Sequence, residues 1–228
     1  MKILAIGDIH GRKKWELLQK EEADKIIIIG DYFDHFTITQ NQIKNFEKIL
    51  NWKASDPNKV ELLFGNHDYH YLVKGRVQHT GYNPNALISQ LLIDAVKSDL
   101  LKIFYIHDNF LFSHAGITNT YLSYLNDDGF TMEDLNDILK YKEMLLEFGY
   151  YGGKDQSGND PSQGPLWVRP NSLIGDLIPK YTQIVGHTVQ HNIKIYDRLI
   201  IIDSPMSNEV LEIDDGVVKI KELKNENF

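Results

Sequence analysis

The sequence predicts an α/β domain organised around a largely parallel sheet, and three observations point that way. Short apolar runs alternate with amphipathic stretches through the first half of the chain, the pattern of successive βα units. The runs Ile3–Ile6 and Ile26–Ile29 are continuous rather than alternating in polarity, as strands covered on both faces require. Five such runs end in Asp, Asn or His, which places the chemistry at the carboxyl ends of the strands.

The elements follow in chain order. Lys13–Lys20 reads as a short helix between the first two strands. Thr39 with Gln42 three residues on resembles a capping box, opening a helix with Ile43, Phe46, Ile49 and Leu50 on one face. Val60–Phe64 is a third buried strand. Asn85 is expected to cap a helix whose buried side carries Leu87, Ile88, Leu91, Leu92, Ala95 and Val96. Phe110–Ser113 reads as another strand, and Thr131–Phe148 as a longer helix ended by Gly149. Residues 150–165, with Gly152, Gly153, Gly158, Pro161, Gly164 and Pro165, form a loop longer than ordinary connections, and such loops carry function or move. From Ile193 onward the pattern gives three or four strands, with Asp215-Gly216 as a hairpin turn.

With 228 residues, 42% of them hydrophobic, the chain suits one domain, 1–228, in which 120–165 forms a cap or insert. A net charge of -8 argues against a diffuse electrostatic grip on nucleic acid. The lack of cysteine excludes disulfides and thiolate metal sites, and fits a reducing cytoplasm. Met1–Ile6 is too short and too quickly followed by charge to be a signal peptide. Runs such as Ile26–Ile29 fall far short of the ~20 residues that cross a bilayer. A cytoplasmic protein with no membrane partner is expected.

Asp8 and His10 follow the first strand, Asp31 the second, Asn66 and His67 the third. His114 follows Phe110–Ser113, and His187 follows Ile184-Val185. Singly, an Asp after a strand is more often a turn or helix cap, and a lone His a satisfied polar residue. Caps do not select His and Asn so consistently, so the set reads as one site. Asp8 and His10 are two apart, on one side of an extended segment. Oxygen and imidazole donors without thiolate suit Mn, Zn or Fe better than Ca. Glycines at 7, 30, 65 and 186 precede the ligand residues and permit close backbone approach.

Five segments in order, Gly7-Asp8-Ile9-His10-Gly11, Gly30-Asp31-Tyr32-Phe33-Asp34, Gly65-Asn66-His67-Asp68, Ser113-His114-Ala115-Gly116 and Gly186-His187-Thr188, resemble the calcineurin-like metallophosphoesterases, within them the phosphoprotein (serine/threonine) phosphatase branch. The resemblance implies a β-sandwich of two mixed sheets flanked by helices. It also implies two divalent metal ions, manganese foremost, with iron, zinc or nickel as alternatives. Asp8, His10 and Asp31 would hold the first ion; Asp31 would bridge to a second, completed by Asn66, His114 and His187. Two carboxylates against two divalent ions leave about two positive charges, which suits a phosphate dianion.

In the family pattern His67 protonates the leaving oxygen and Asp34 pairs with it. Arg169, in Leu166-Trp167-Val168-Arg169, resembles an arginine that binds substrate phosphate with its planar fork, alongside Asn66. The expected activity is hydrolysis of a phosphomonoester, from a phosphoprotein or a small molecule. Dinucleoside polyphosphate hydrolysis, phosphodiester cleavage and a non-enzymatic metal-binding scaffold are the alternatives.

Two departures bear on substrate. The branch's usual arginines are replaced by His35 and Phe64. Val189 stands where many phosphodiesterases place a second histidine, which favours a phosphatase. His70, His79, His107 and His191 match no motif, and Arg12-Lys13-Lys14 reads as solvated surface.

Overall fold

The computed structural model describes residues 1–35, 39–73, 80–141, 146 and 157–224. In chain order the elements are β1 (Lys2–Ile6), α1 (Trp15–Leu18), β2 (Lys25–Ile28), α2 (Thr39–Ser55), β3 (Val60–Leu63), α3 (Asn66–Tyr69), α4 (Ala86–Lys97), β4 (Leu101–Lys102), β5 (Phe104–His107) and β6 (Phe110–Ser113). They continue as α5 (Asn119–Asp127), α6 (Leu135–Tyr141), α7 (Pro170–Gly175), β7 (Thr182–Val185), β8 (Lys194–Ile195), β9 (Leu199–Ile201), β10 (Glu209–Asp214) and β11 (Val217–Glu222). Two mixed sheets result. One runs β11-β10-β1-β2-β3-β4 with β1 to β4 parallel, the other β5-β6-β7-β9-β8 with β6, β7 and β9 parallel.

Side-chain alternation explains the continuous apolar runs. Ile3, Ala5, Ile27, Ile29 and Leu63 point between the sheets, where they meet Phe110, Phe112, Ile184 and Ile200. Their neighbours Leu4, Ile6, Ile26, Ile28 and Leu62 point the other way, onto Ile43, Phe46, Ile49, Ile88 and Leu92 of the helices. β1, β2 and β3 are therefore buried on both faces. The outer face of the second sheet packs Val185, Leu199 and Ile201 against Val168 and Leu173. Glu61, alone among apolar residues in β3, is ringed by the ammonium groups of Lys25, Lys53 and Lys102 at 3.4, 3.3 and 3.2 Å. Those charges offset the cost of taking its carboxylate out of water.

Local signals fared unevenly. Asn85 caps α4, accepting from the N–H groups of Leu87 and Ile88 at 2.9 and 3.3 Å. Leu87, expected on the buried side, is 47% exposed, because the buried stripe starts one residue later at Ile88, Leu92, Ala95 and Val96. The capping box expected from Thr39 and Gln42 gives way to a different arrangement. Thr39 is the first helical residue, and the Gln42 amide bonds both the N–H and the carbonyl of His35.

The region 120–165, expected as a small helical or loop cap, holds most of α5, which Thr118 caps. The helix expected over 131–148 is seen as α6. Before it, Asp134 accepts from the N–H and hydroxyl of Thr131 at 2.7 and 2.8 Å. Its continuation past 141, with Gly149 and residues 150–156 of the long loop, lies outside the described residues. Tyr121, Leu125, Met132, Leu135 and Leu139 join the helix-side core.

The C-terminal part forms four strands. Asp215 and Gly216, at φ 46 and 81, make the two left-handed positions of a tight hairpin turn. Lys14 is half-buried rather than solvated: its ammonium donates to the Glu209 carbonyl, and burial pushes its pKa down to about 8. Among the described residues, no helix is long and apolar enough to cross a membrane.

Candidate metal centre

The ends of β1, β2, β3 and β7 open on one cleft lined by Asp8, His10, Asp31, Asn66, His67, Thr80, Trp167, Arg169, His187, Val189 and Asp203. His114, from the end of β6, lies wholly buried beneath it. Close packing at glycines brings these strand ends together. A Cβ at Gly65 would overlap the Asp31 carboxylate, and one at Gly186 the Asp8 carboxylate. Gly65→Ala should therefore displace Asp31, lowering retained metal and turnover by roughly 10–100-fold with the far-UV spectrum unchanged. Metal analysis after gel filtration reads this, and full metal retention would contradict it.

Four residues here adopt left-handed backbone: His10 at φ 42, Asp31 at 50, Asp34 at 68 and His187 at 59. Each such conformation costs about 1–2 kcal/mol for a residue with a Cβ. Bonds between the strand ends impose it: the N–H of His10 donates to the Asp31 carbonyl at 2.6 Å, and that of Gly11 to the Tyr32 carbonyl at 3.0 Å. Strain concentrated at one cleft is a mark of a functional site.

One ring nitrogen of each of three imidazoles faces a backbone carbonyl. Nδ1 of His10 faces the Phe33 carbonyl at 2.5 Å, Nδ1 of His114 the Ile29 carbonyl at 2.8 Å, and Nε2 of His187 the Trp167 carbonyl at 3.2 Å. A carbonyl only accepts, so a proton on each of these nitrogens leaves its ring partner with a lone pair; in His114 and His187 that partner faces a further acceptor, Oδ1 of Asn66, a crowding of acceptors that a cation relieves. The partner nitrogens turn inward. His10 Nε2 and His114 Nε2 lie 3.6 and 3.4 Å from Oδ2 of Asp31. His114 Nε2 and His187 Nδ1 each lie 2.8 Å from Oδ1 of Asn66.

Burial keeps these rings neutral. It pushes His10 down to about 4, assisted by His67, pushes His114 down to about 3, and holds His187 well below its usual range. The same burial raises Asp8 and Asp31, with Asp203 adding to the effect on Asp8 and Asp8 to that on Asp31. Two crowded carboxylates and three neutral imidazoles directed at a common region fit divalent cations, and the mixed oxygen–nitrogen set suits Mn, Zn or Fe. Ligand atoms of Asp8, Asp31 and His114 lie within 4.8 Å of one another, as do those of His10, Asp31 and His67. Asp31 belongs to both groups.

All eight residues singled out from sequence for metal, acid and Asp34 roles thus meet in one place. Nδ1 of His67 stands 2.8 Å from Oδ2 of Asp34, and its backbone N–H donates to Asp31 Oδ1 at 2.8 Å. Burial works against the Asp34 charge, but bonds from His67 and His70 hold its carboxyl down to about 2. Arg169 donates from Nη1 to the His187 carbonyl at 2.7 Å and to Oγ1 of Thr188 at 3.1 Å, with its guanidinium 5.7 Å from the Trp167 ring centroid.

The departures are also placed. Phe64 is buried against Tyr69, and the His35 backbone is tied to Gln42, so neither lines the cleft. Val189 lines it, 68% exposed, and His191 is exposed. His107 pairs locally with Asp108, and His79 lies outside the described residues.

Some residues of the site escaped the sequence reading. Asp203 lines the cleft, and burial raises it to about 6. It follows the continuous run Leu199–Ile202, the same signal that marked the other five strand ends. Asp68 accepts from the N–H groups of Tyr32 and Gly65 at 2.8 and 3.0 Å, stitching together the turns that carry Asp31 and Asn66. His70 and Tyr71 reach Asp34, and no spacing in the sequence signals that contact.

Two mixed sheets that gather Asp, Asn and His at the ends of their parallel strands define the class as a metallophosphoesterase-type hydrolase fold. The chain belongs to the calcineurin-like phosphoesterase family, whose model matches residues 1–190. Solved structures of protein phosphatases share the fold. The cold-active protein-tyrosine phosphatase of a psychrophilic Shewanella species is similar over 98% of this chain and 80% of its own, with 18% identity and a TM-score of 0.64. Another structure of a cold-active protein tyrosine phosphatase has 21% identity, the same coverage and a TM-score of 0.64. A protein serine/threonine phosphatase from Saccharomyces cerevisiae is similar over 100% of this chain and 81% of its own, with 16% identity and a TM-score of 0.59. A comparison with curated proteins found no match.

Proposed function

We propose that the chain is a two-metal phosphomonoesterase, of the serine/threonine phosphatase kind, acting on a phosphoprotein or a small phosphoester. The observation that carries this reading is the position of Asp31, whose carboxylate belongs to two ligand groups at once. Asp8, His10 and Asp31 would hold one divalent ion, and Asp31, Asn66, His114 and His187 the other. Bound there, the ions supply a nucleophilic water near neutral pH and positive charge for the phosphate. Arg169, steadied by His187 and Thr188 at the cleft, offers its remaining donors to phosphate oxygens. Asn66 presents its amide to the same region. His67, bonded through Nδ1 to Asp34, carries its other nitrogen away from that carboxylate and protonates the leaving oxygen.

Metal content and hydrolysis of p-nitrophenyl phosphate and its bis-ester, before and after chelation, test the reading. About two ions per chain with chelator-sensitive monoesterase activity is the expected result. Preference for the bis-ester would indicate a phosphodiesterase, and a folded protein with neither metal nor turnover a scaffold.

A further inference from the structure

Asp34 is gripped by more groups than its pairing with His67 explains. It is 6% exposed and held in left-handed backbone at φ 68. Its Oδ2 faces Nδ1 of His67 at 2.8 Å and Nε2 of His70 at 2.7 Å, the latter off the line of an ideal hydrogen bond. Its Oδ1 accepts from the Tyr71 hydroxyl at 2.6 Å. Both oxygens are thus engaged by a single stretch, α3 and the two residues after it, the stretch that also carries Asn66.

The added partners are themselves confined. The Tyr71 ring packs against Phe33 and Tyr82 at 5.7 and 4.9 Å between centroids, and its hydroxyl accepts from the Asn83 N–H at 3.4 Å. His70, 4% exposed, lies between Tyr71 and Tyr82 at 4.8 and 4.3 Å. Gly81 runs so close to the Asp34 carbonyl that a Cβ there would overlap it. A carboxylate bonded through one oxygen can turn about its Cβ–Cγ bond and carry the imidazole with it. Bonded through both oxygens, its plane is fixed, and so is the ring it holds.

We propose that Tyr71 and His70 are positioning residues for the proton donor. They lock the plane of Asp34, which aims Nε2 of His67 at the leaving oxygen, and neither touches substrate. This rests on the phosphomonoesterase reading above. The ligand atoms of Asp34, His67 and His70 also lie within 4.8 Å of one another. The His67 imidazole and the Tyr71 hydroxyl each bond one oxygen of the carboxylate, which favours hydrogen bonding over a third cation, and metal counting tests the difference.

The experiment compares metal-loaded wild type, Tyr71→Phe, His70→Gln, His67→Asn and the Tyr71→Phe/His67→Asn double variant. Each is assayed on p-nitrophenyl phosphate, a good leaving group, and phenyl phosphate, a poor one. Tyr71→Phe should lower kcat for phenyl phosphate on the order of tenfold, with a loss at least roughly threefold larger than for p-nitrophenyl phosphate and KM little changed. Adding it to His67→Asn should cost nothing more, because the group it positions is gone. His70→Gln, which keeps an N–H donor, should stay nearer wild type than Tyr71→Phe and retain all bound metal.

A readout independent of turnover comes from the metal-free protein labelled with ¹⁵N-histidine. The ring N–H shared with Asp34, assigned by its loss in His67→Asn, should persist in wild type and broaden in Tyr71→Phe. Equal losses on both esters, additive losses in the double variant, or one ion lost in His70→Gln would each overturn the proposal. A wild type inactive on both monoesters overturns the phosphomonoesterase reading and this inference with it. An active wild type with a leaving-group effect in His67→Asn but none in Tyr71→Phe overturns this inference alone.

Discussion

Asp31→Asn abolishes turnover and lowers metal content below that of the wild type. The amide keeps the shape of the carboxylate and can still accept from the His67 N–H, a bond of 2.8 Å. What it loses is the charge and the second strong donor oxygen. His10 and His114 approach Asp31 Oδ2 at 3.6 and 3.4 Å from two directions, so the loss falls on both proposed ion positions. The activity loss should exceed the ~10–100-fold typical of disturbing a group that merely supports a metal ligand. The metal-free variant should unfold at the same temperature as the metal-free wild type or higher, because a buried amide is less costly than a buried carboxylate. Metal analysis, kcat on p-nitrophenyl phosphate and thermal unfolding read the three effects. Near-normal activity with both ions retained would sink the bridging role.

His67→Asn leaves metal content intact and lowers kcat by ~10²–10⁴-fold on a phosphate ester with a poor leaving group. The loss shrinks on p-nitrophenyl phosphate, whose phenolate departs without a proton. The geometry makes this a sharp test, since ligand atoms of His67 also lie within 4.8 Å of those of His10 and Asp31. If the substitution removes an ion, His67 is a ligand and the proton donor is another group.

Much of the site was legible because its signals are local. A strand buried on both faces must be apolar throughout, so a polar residue at its end stands out, and Asp8, Asp31, Asn66, His114 and His187 were found that way. Glycines that permit backbone contact beside a carboxylate are equally visible, as at Gly65 and Gly186. Asp203 carries the same strand-end signal after Leu199–Ile202, in a segment, Ile200–Ser204, that resembles the family's strand after the last motif, yet nothing in that resemblance gives it a role.

Other features depended on neighbours distant in sequence. Leu87 was expected inside because it is apolar, and lies outside because α4 turns Ile88 to the sheet. Gln42 was expected to close a capping box, and instead bonds a backbone segment that the turn after β2 brings within reach. Glu61 reads as an anomaly in a buried strand until three lysines from β2, α2 and β4 surround it.

By itself the sequence determined the α/β class, the parallel strand ends, the ligand types and their order, all of which follow from hydrophobic periodicity and residue chemistry along the chain. The division into two mixed sheets, implied by the family resemblance, is what the structure has, and the tertiary structure fixes which strand pairs with which. The tertiary structure alone decided which imidazole nitrogens point inward and that Tyr71 and His70 close on Asp34. The reason is physical. Periodicity reports which face of an element is buried, whereas the orientation of an imidazole, a shared carboxylate or a locked side-chain plane is set by atoms brought together across 20 to 179 residues of chain, at distances where an ångström decides the chemistry.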